Sequence, residues 1–114
     1  MRFSAPALDC MGSIHDLSAL FEKTAFVYRT CGDSMINAHI PHGAWLAVDR
    51  QIKAANGMIV IAEVGGIVMV RRLVKTTRLT VLHPENPYYK PLIITPEMNM
   101  IIYGVVTTVI ITSP

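Results

Sequence analysis

From residue 25 onward the chain is a series of short apolar runs separated by turn residues, a pattern that predicts strands. Residues 25–30 alternate loosely and carry the aromatics Phe26 and Tyr28, and residues 45–49 follow the turn signal Pro41-His42-Gly43. Residues 58–64 form a nearly continuous apolar run introduced by Asn56-Gly57. Gly65-Gly66, between that run and residues 67–75, reads as a two-residue hairpin turn. Thr76-Thr77 turns the chain again into residues 78–82. A loop at 83–91 contains Pro84, Pro87 and Pro91 with Tyr88 and Tyr89; a short strand at 91–95 and a long one at 100–112 follow, and Gly104 inside the latter marks a bulge. Seven or so short strands at this spacing predict a mainly β fold in a barrel-like or sandwich-like arrangement. Before residue 25 the pattern differs. Residues 17–23 predict one short helix, with Asp16 as N-cap and Leu17, Leu20 and Phe21 on one face. Residues 1–15 read as an N-terminal arm, and residues 16–114 as a single domain.

Composition narrows the function classes. A chain of 114 residues buries one ordinary core. With 52% apolar and 16% charged residues, its surface must carry unusual apolar area, which predicts an oligomer or an obligate partner. Net charge is only +2, and the basic group Arg71, Arg72, Lys75 and Arg78 reads as a solvated hairpin, so direct DNA binding is expected to be weak or absent. Cys10 and Cys31 form neither a CxxC pair nor a secreted disulfide framework and are expected to be free thiols. His39 and His42 lie three apart without a third ligand, so no metal site and no cofactor are predicted. The N-terminus lacks a signal-peptide pattern. The apolar stretch at 100–112 is too short for a membrane helix and rich in Val, Ile and Thr, so a soluble, cytoplasmic protein with no membrane partner is expected.

The segment with chemical content is Cys31-Gly32-Asp33-Ser34-Met35, a glycine-led turn that ends a strand and exposes a serine. Backbone N–H groups of such a turn, here at Gly32, Asp33 and Met35 around Ser34, can face a developing oxyanion. Taken alone, a serine in a Gly-Asp-Ser turn is more often structural than catalytic.

The surrounding residues add to this. Gly32-Asp33-Ser34-Met35, then Ile40, His42-Gly43 and Val48-Asp49, resembles the signature of the LexA/UmuD (S24) Ser–Lys peptidase family. Gly57–Ala62 resembles that family's next strand, Val64–Leu73 the hairpin carrying its second catalytic residue, and His83–Tyr88 and Tyr103–Val106 fit its later segments. The resemblance covers residues 17–111 and, within the family, is nearest to UmuD and related mutagenesis proteins. It implies the family's peptidase fold of short, highly curved strands, with Ser34 as nucleophile and a buried neutral lysine as general base. The position of that lysine falls on Arg71.

That departure matters because a guanidinium stays protonated and cannot serve as the base. Lys75 is four residues along the strand, about 13 Å away at about 3.3 Å per residue. Gly43-Ala44 stands where the family has Gly-Asp. Alternation places Met69, Arg71 and Leu73 on one face and Val68, Val70 and Arg72 on the other, so it does not say which arginine points inward. Cys10-Met11-Gly12 is not the Cys-Gly or Ala-Gly cleavage bond of UmuD-type arms, and the chain starts about where a processed form would start. The resemblance therefore implies a peptidase fold that is catalytically inactive. The leading expectation is a UmuD′-like accessory subunit of an error-prone Y-family translesion polymerase in the SOS response. Its partners would be a second copy or an arm-bearing homologue, a UmuC-like polymerase and the RecA filament. The alternatives are the C-terminal dimerisation and self-cleavage domain of a LexA- or phage-type repressor, and a Ser–Lys peptidase that cuts a partner in trans.

Overall fold

The computed structural model describes residues 12–15 and 25–112. Eight strands occur in these residues: β1 (Ser13–His15), β2 (Ala25–Arg29), β3 (Trp45–Asp49), β4 (Ile59–Val64), β5 (Ile67–Lys75), β6 (Thr80–His83), β7 (Leu92–Ile93) and β8 (Ile101–Ile110). All pairings are antiparallel and join them into one sheet in the order β1-β2-β3-β8-β4-β5-β6-β7, curled into a half-barrel. The mainly β class expected from the sequence is thus the observed one. The helix expected at 17–23 lies outside the described residues. The last three residues of the expected arm form β1, which pairs Ser13–His15 with Arg29–Val27 of β2.

The final strand organises the sheet. β8 lies between β3 and β4, so it alone joins the β1-β2-β3 half to the β4-β5-β6-β7 half. It carries an extra residue toward each neighbour. Against β4 the pairing passes from Ile61↔Gly104 to Ala62↔Ile102, skipping Tyr103; against β3 it passes from Ala47↔Thr108 to Val48↔Val106, skipping Thr107. Each bulge bends the strand and increases its twist, which curls the sheet where its two halves meet.

The core explains why residues 58–64 lack alternation. Ile61 points into a cluster with Phe26, Tyr28, Met35, Ile40, Leu46, Val48 and Val70, while Val60 and Ala62 on the opposite face pack with Leu73, Leu82 and Val105. Because β4 is buried on both faces, both of its side-chain sets must be apolar. Two boundaries differ from the sequence pattern. The strand expected at 78–82 begins at Thr80, because Thr76 Oγ accepts N–H bonds from Arg78 (3.3 Å) and Leu79 (3.0 Å) and holds the turn two residues longer. The strand expected at 91–95 shrinks to Leu92–Ile93, since Pro96 opens a single 3-10 turn, Pro96–Met98.

The expectation of free thiols is overturned: Cys31 is disulfide-bonded. The sequence holds one other cysteine, Cys10, which lies outside the described residues. Among the described residues no helix is long and apolar enough to cross a membrane.

Tyr28 sits deep in the first cluster, its hydroxyl donating a long bond (3.4 Å) to the Val68 carbonyl. Burial pushes its phenol up to about 12, outweighing the opposing pull of the Gly12 backbone and of Arg71. A phenol that ionises near 10 in the unfolded chain and near 12 in the folded one favours folding below pH 10, and that contribution is lost as pH rises from 10 to 12. Stability is therefore expected to fall by about 2–3 kcal/mol across this window. Urea unfolding at pH 9 and pH 11.5 should show the drop, and Tyr28→Phe should largely abolish it.

Candidate functional site

The serine turn is held from three directions. At its entrance the buried Thr30 clasps the chain: its Oγ1 donates to Pro41 O (2.8 Å) and accepts from Ala44 N–H (3.0 Å), while Thr30 N–H donates to Ala44 O (2.9 Å) and Gly43 N–H to Thr30 O (3.1 Å). Gly32, at φ 88°, donates its N–H to His42 Nδ1 at 2.8 Å, which assigns the ring proton to Nε2. At its exit Met35 and Ile40 are anchored in the core on either side of the 3-10 turn Ile36–Ala38.

The third support is the proline-rich loop. Glu85 N–H donates to Ser34 O (2.8 Å) and Asn37 N–H to Glu85 O (2.9 Å), so the loop runs beside the serine turn as a short two-bond ladder. Buried Asn86 donates its Nδ2–H to Asp33 O (2.9 Å) and accepts Tyr88 N–H (2.9 Å) on Oδ1. Tyr89 donates its phenol to Asp33 Oδ1 (2.8 Å). Asn86→Ala leaves Asp33 O and Tyr88 N–H without these partners. It should destabilise the fold by about 2 kcal/mol, measured as a lower urea midpoint at unchanged slope. These loop residues border an open cavity of about 400 Å³, lined also by Asn37, His83 and Pro91.

The hairpin supplies the other half of the site. Arg71 of β5 pairs with Val60 of β4 and is only 7% exposed, while Ser34 is 6% exposed. Arg71 Nη1–H donates to Ser34 Oγ at 2.8 Å and to its neighbour's carbonyl, Val70 O, at 2.7 Å, and the guanidinium lies 5.9 Å from the Tyr89 ring centre. Which arginine points inward is therefore decided. Arg72 turns the other way, donating Nε–H to Glu85 Oε2 (3.3 Å) and Nη1–H to Gly57 O (2.7 Å). Lys75 is exposed at the far end of the strand.

No carboxylate among the described residues reaches ion-pair distance of Arg71; Glu85 pairs instead with Arg72 and His83. Burial pulls the Arg71 guanidinium below the ordinary arginine range, and the Tyr28 and Tyr89 phenols partly oppose that shift. It remains a cation at neutral pH, because a guanidinium starts above about 12. Removing an ion from water costs several kcal/mol, and here two neutral oxygens offset only part of that cost.

This arrangement can donate hydrogen bonds to an electron-rich oxygen and hold positive charge beside it. It cannot take a proton from Ser34, because the group touching Oγ is itself a donor. No imidazole or carboxylate among the described residues hydrogen-bonds Ser34 Oγ: His42 is engaged with Gly32, and Asp33 with Tyr89. Among the described residues no three His, Cys, Asp or Glu side chains come together; His39 takes the left-handed position (φ 64°) that ends the 3-10 turn. The residues read from the sequence around the turn, Gly32, Asp33, Ser34 and Met35, are contiguous with Arg71 in space. The positioning roles of Thr30, His42, Asn86 and Tyr89 were missed there. Of these only Asn86, followed by Pro87, carries a local signal, that of an Asx turn.

Known proteins resemble the chain over most of its length. The family description Peptidase S24-like matches residues 11–107. LexA repressor 2 of Pseudomonas syringae pv. tomato is 37% identical over 101 residues, 88% of this chain and 50% of that protein. The LexA repressor of Citrifermentans bemidjiense is 42% identical over 79 residues, 69% of this chain and 39% of its own length, and that of Shewanella sediminis 40% over 77 residues, 67% and 37%. The chain thus spans half or less of the length of these curated relatives.

Proposed function

Since the chain belongs to the peptidase S24-like family, we propose that it is a non-cleaving S24 domain that works by assembling with other protein chains, in the manner of the self-association half of a LexA-type repressor. The observation that carries this reading is the 2.8 Å bond from Arg71 Nη1 to Ser34 Oγ. A general base must accept the nucleophile's proton in the transition state, and a guanidinium has no lone pair available for it. The serine turn keeps its clasp, its loop ladder and its core anchors, so the fold is preserved where the acid–base chemistry is not. Exposed Ile101, Ile110 and Ile111 along and after β8, with exposed Ile93 and Leu79, supply apolar area of the kind that partners cover. The names of the matched relatives support the LexA-type form of the reading.

One observation favours a second form. A repressor that must cut itself to be relieved loses its release step with Arg71 in the base position, whereas an accessory subunit needs no cleavage. A UmuD′-like subunit of a Y-family polymerase, acting with a UmuC-like partner at RecA filaments, therefore remains the competing reading. The assembly claim is tested by sedimentation velocity from 1 to 100 μM. A dimer is expected, and a monomer throughout would overturn it. The genomic neighbourhood separates the two forms: a helix-turn-helix region in the same reading frame supports the repressor, an adjacent Y-family polymerase gene the subunit.

A further inference from the structure

Arg71 is a buried cation that uses only part of its donor set. Both of its bonds leave from Nη1, toward Ser34 Oγ and Val70 O. Its Nε–H and Nη2–H groups donate to no acceptor among the described residues, yet no fully buried side-chain nitrogen or oxygen there lacks a partner. These nitrogens therefore lie where a molecule from solvent can reach them. Next to them, the backbone N–H groups of Ser34 and Met35 donate to nothing among the described residues. Ser34 Oγ accepts from Arg71, which leaves its own hydrogen to donate outward.

The site thus gathers two backbone N–H groups, a hydroxyl and the remaining edge of a guanidinium, all donors, around a positive charge that no carboxylate among the described residues pairs with. Asp33, the residue before Ser34, accepts the Tyr89 phenol. Such a set is complementary to a planar, singly charged group with several lone pairs on two oxygens, since guanidinium and carboxylate match as a fork and the bonds are charge-assisted. We propose that the Ser34–Arg71 site binds a carboxylate, and that its ligand is the C-terminal carboxylate of a peptide. The choice of a main-chain carboxylate rests on the non-cleaving S24 reading above: a peptide carbonyl presented to Ser34 Oγ becomes, at a chain end, a carboxylate in the same place. The arginine that removes the base is then what retains a product-like end.

The test uses the full-length chain labelled with nitrogen-15 and three short probes: acetyl-tetra-alanine with a free C-terminus, the same peptide as its C-terminal amide, and acetyl-Ala-Glu-Ala-amide, which carries an internal carboxylate. The free acid should shift the Ser34 and Met35 backbone amides and the Arg71 Nε–H in a saturable titration, about tenfold tighter or more than the amide. Arg71→Gln should abolish the shifts while the resonances of β2 and β3 stay in place. If Arg71→Gln does not fold, the comparison of acid with amide on the unaltered chain decides by itself. Equal binding of acid and amide, or shifts that avoid these three groups, overturns the proposal, and equal binding of the internal glutamate probe overturns the C-terminal assignment. Mass spectrometry of the recovered probes keeps the two readings apart. Intact peptide with no binding removes the carboxylate site alone, whereas a shortened peptide removes the non-cleaving reading.

Discussion

Arg71→Lys is expected to turn the chain into a peptidase that cuts a partner in trans. The substrate would be an S24-type protein bearing its own cleavage segment and lacking its own serine, mixed with the variant in the presence of activated RecA filaments. The geometry favours a gain. Lysine carries its nitrogen at about the position of the arginine Cζ, roughly 1.3 Å short of Nη1 by one carbon–nitrogen bond, so a small shift in χ angles returns it to hydrogen-bond distance of Ser34 Oγ. At a site as buried as position 71, 7% exposed and flanked by Tyr28 and Tyr89, desolvation lowers a lysine toward neutrality. A positioned general base contributes about 10²–10⁴-fold to such a step, so product absent with the unaltered chain should be plain on a gel within hours. Adding Ser34→Ala to the lysine variant should remove it. An inert lysine variant would mean that the pocket has diverged beyond one residue, with Ala44 the first place to look.

Gly104→Ala should be strongly destabilising, because the added methyl group has no room between β8 and β3. A Cβ at position 104 would stand 2.7 Å from Val48 Cγ1 and 2.8 Å from the backbone oxygen of Asp49. The side chain could rotate away, but the carbonyl belongs to β3 and cannot yield without disturbing β3–β8 pairing. Gly104 also sits next to the bulged Tyr103, where β8 bends between the two halves of the sheet. Overpacking of this kind costs about 2–3 kcal/mol, or roughly a 10 °C fall in Tm for a domain of this size. Thermal unfolding followed by circular dichroism should show it, together with a lower folded yield. Ala at Gly57, where a Cβ would meet nothing, supplies a control in which backbone strain acts alone.

The contrast between Gly104 and Arg71 shows what the amino-acid sequence makes legible. Local rules located most strands: residues 45–49 and 67–75 coincide with β3 and β5, because turn residues and β-branched runs act over a few positions. A bulge near Gly104 was readable for the same reason, one residue from the extra residue Tyr103. Strand order was not, since nothing local says that the last strand inserts between β3 and β4. The inward direction of Arg71 was equally hidden: both faces of β5 are apolar on either side of it, and only the tertiary placement of the serine turn distinguishes Arg71 from Arg72. The disulfide at Cys31 escaped because two isolated cysteines carry no spacing signal. The supports of Ser34 are hardest to see, because Thr30, His42, Asn86 and Tyr89 act through a few bonds to backbone atoms or to Asp33, across separations of up to 56 residues.

The central claim is that Ser34 has no base among the described residues and that the chain as it stands does not cleave. It is tested most directly with the unaltered protein, mixed with an excess of an S24-type partner that bears its cleavage segment and lacks its own serine, once with activated RecA filaments and once at pH 10. The partner is expected to stay intact through overnight incubation. Cleavage product that disappears when Ser34→Ala replaces the unaltered protein would contradict the account.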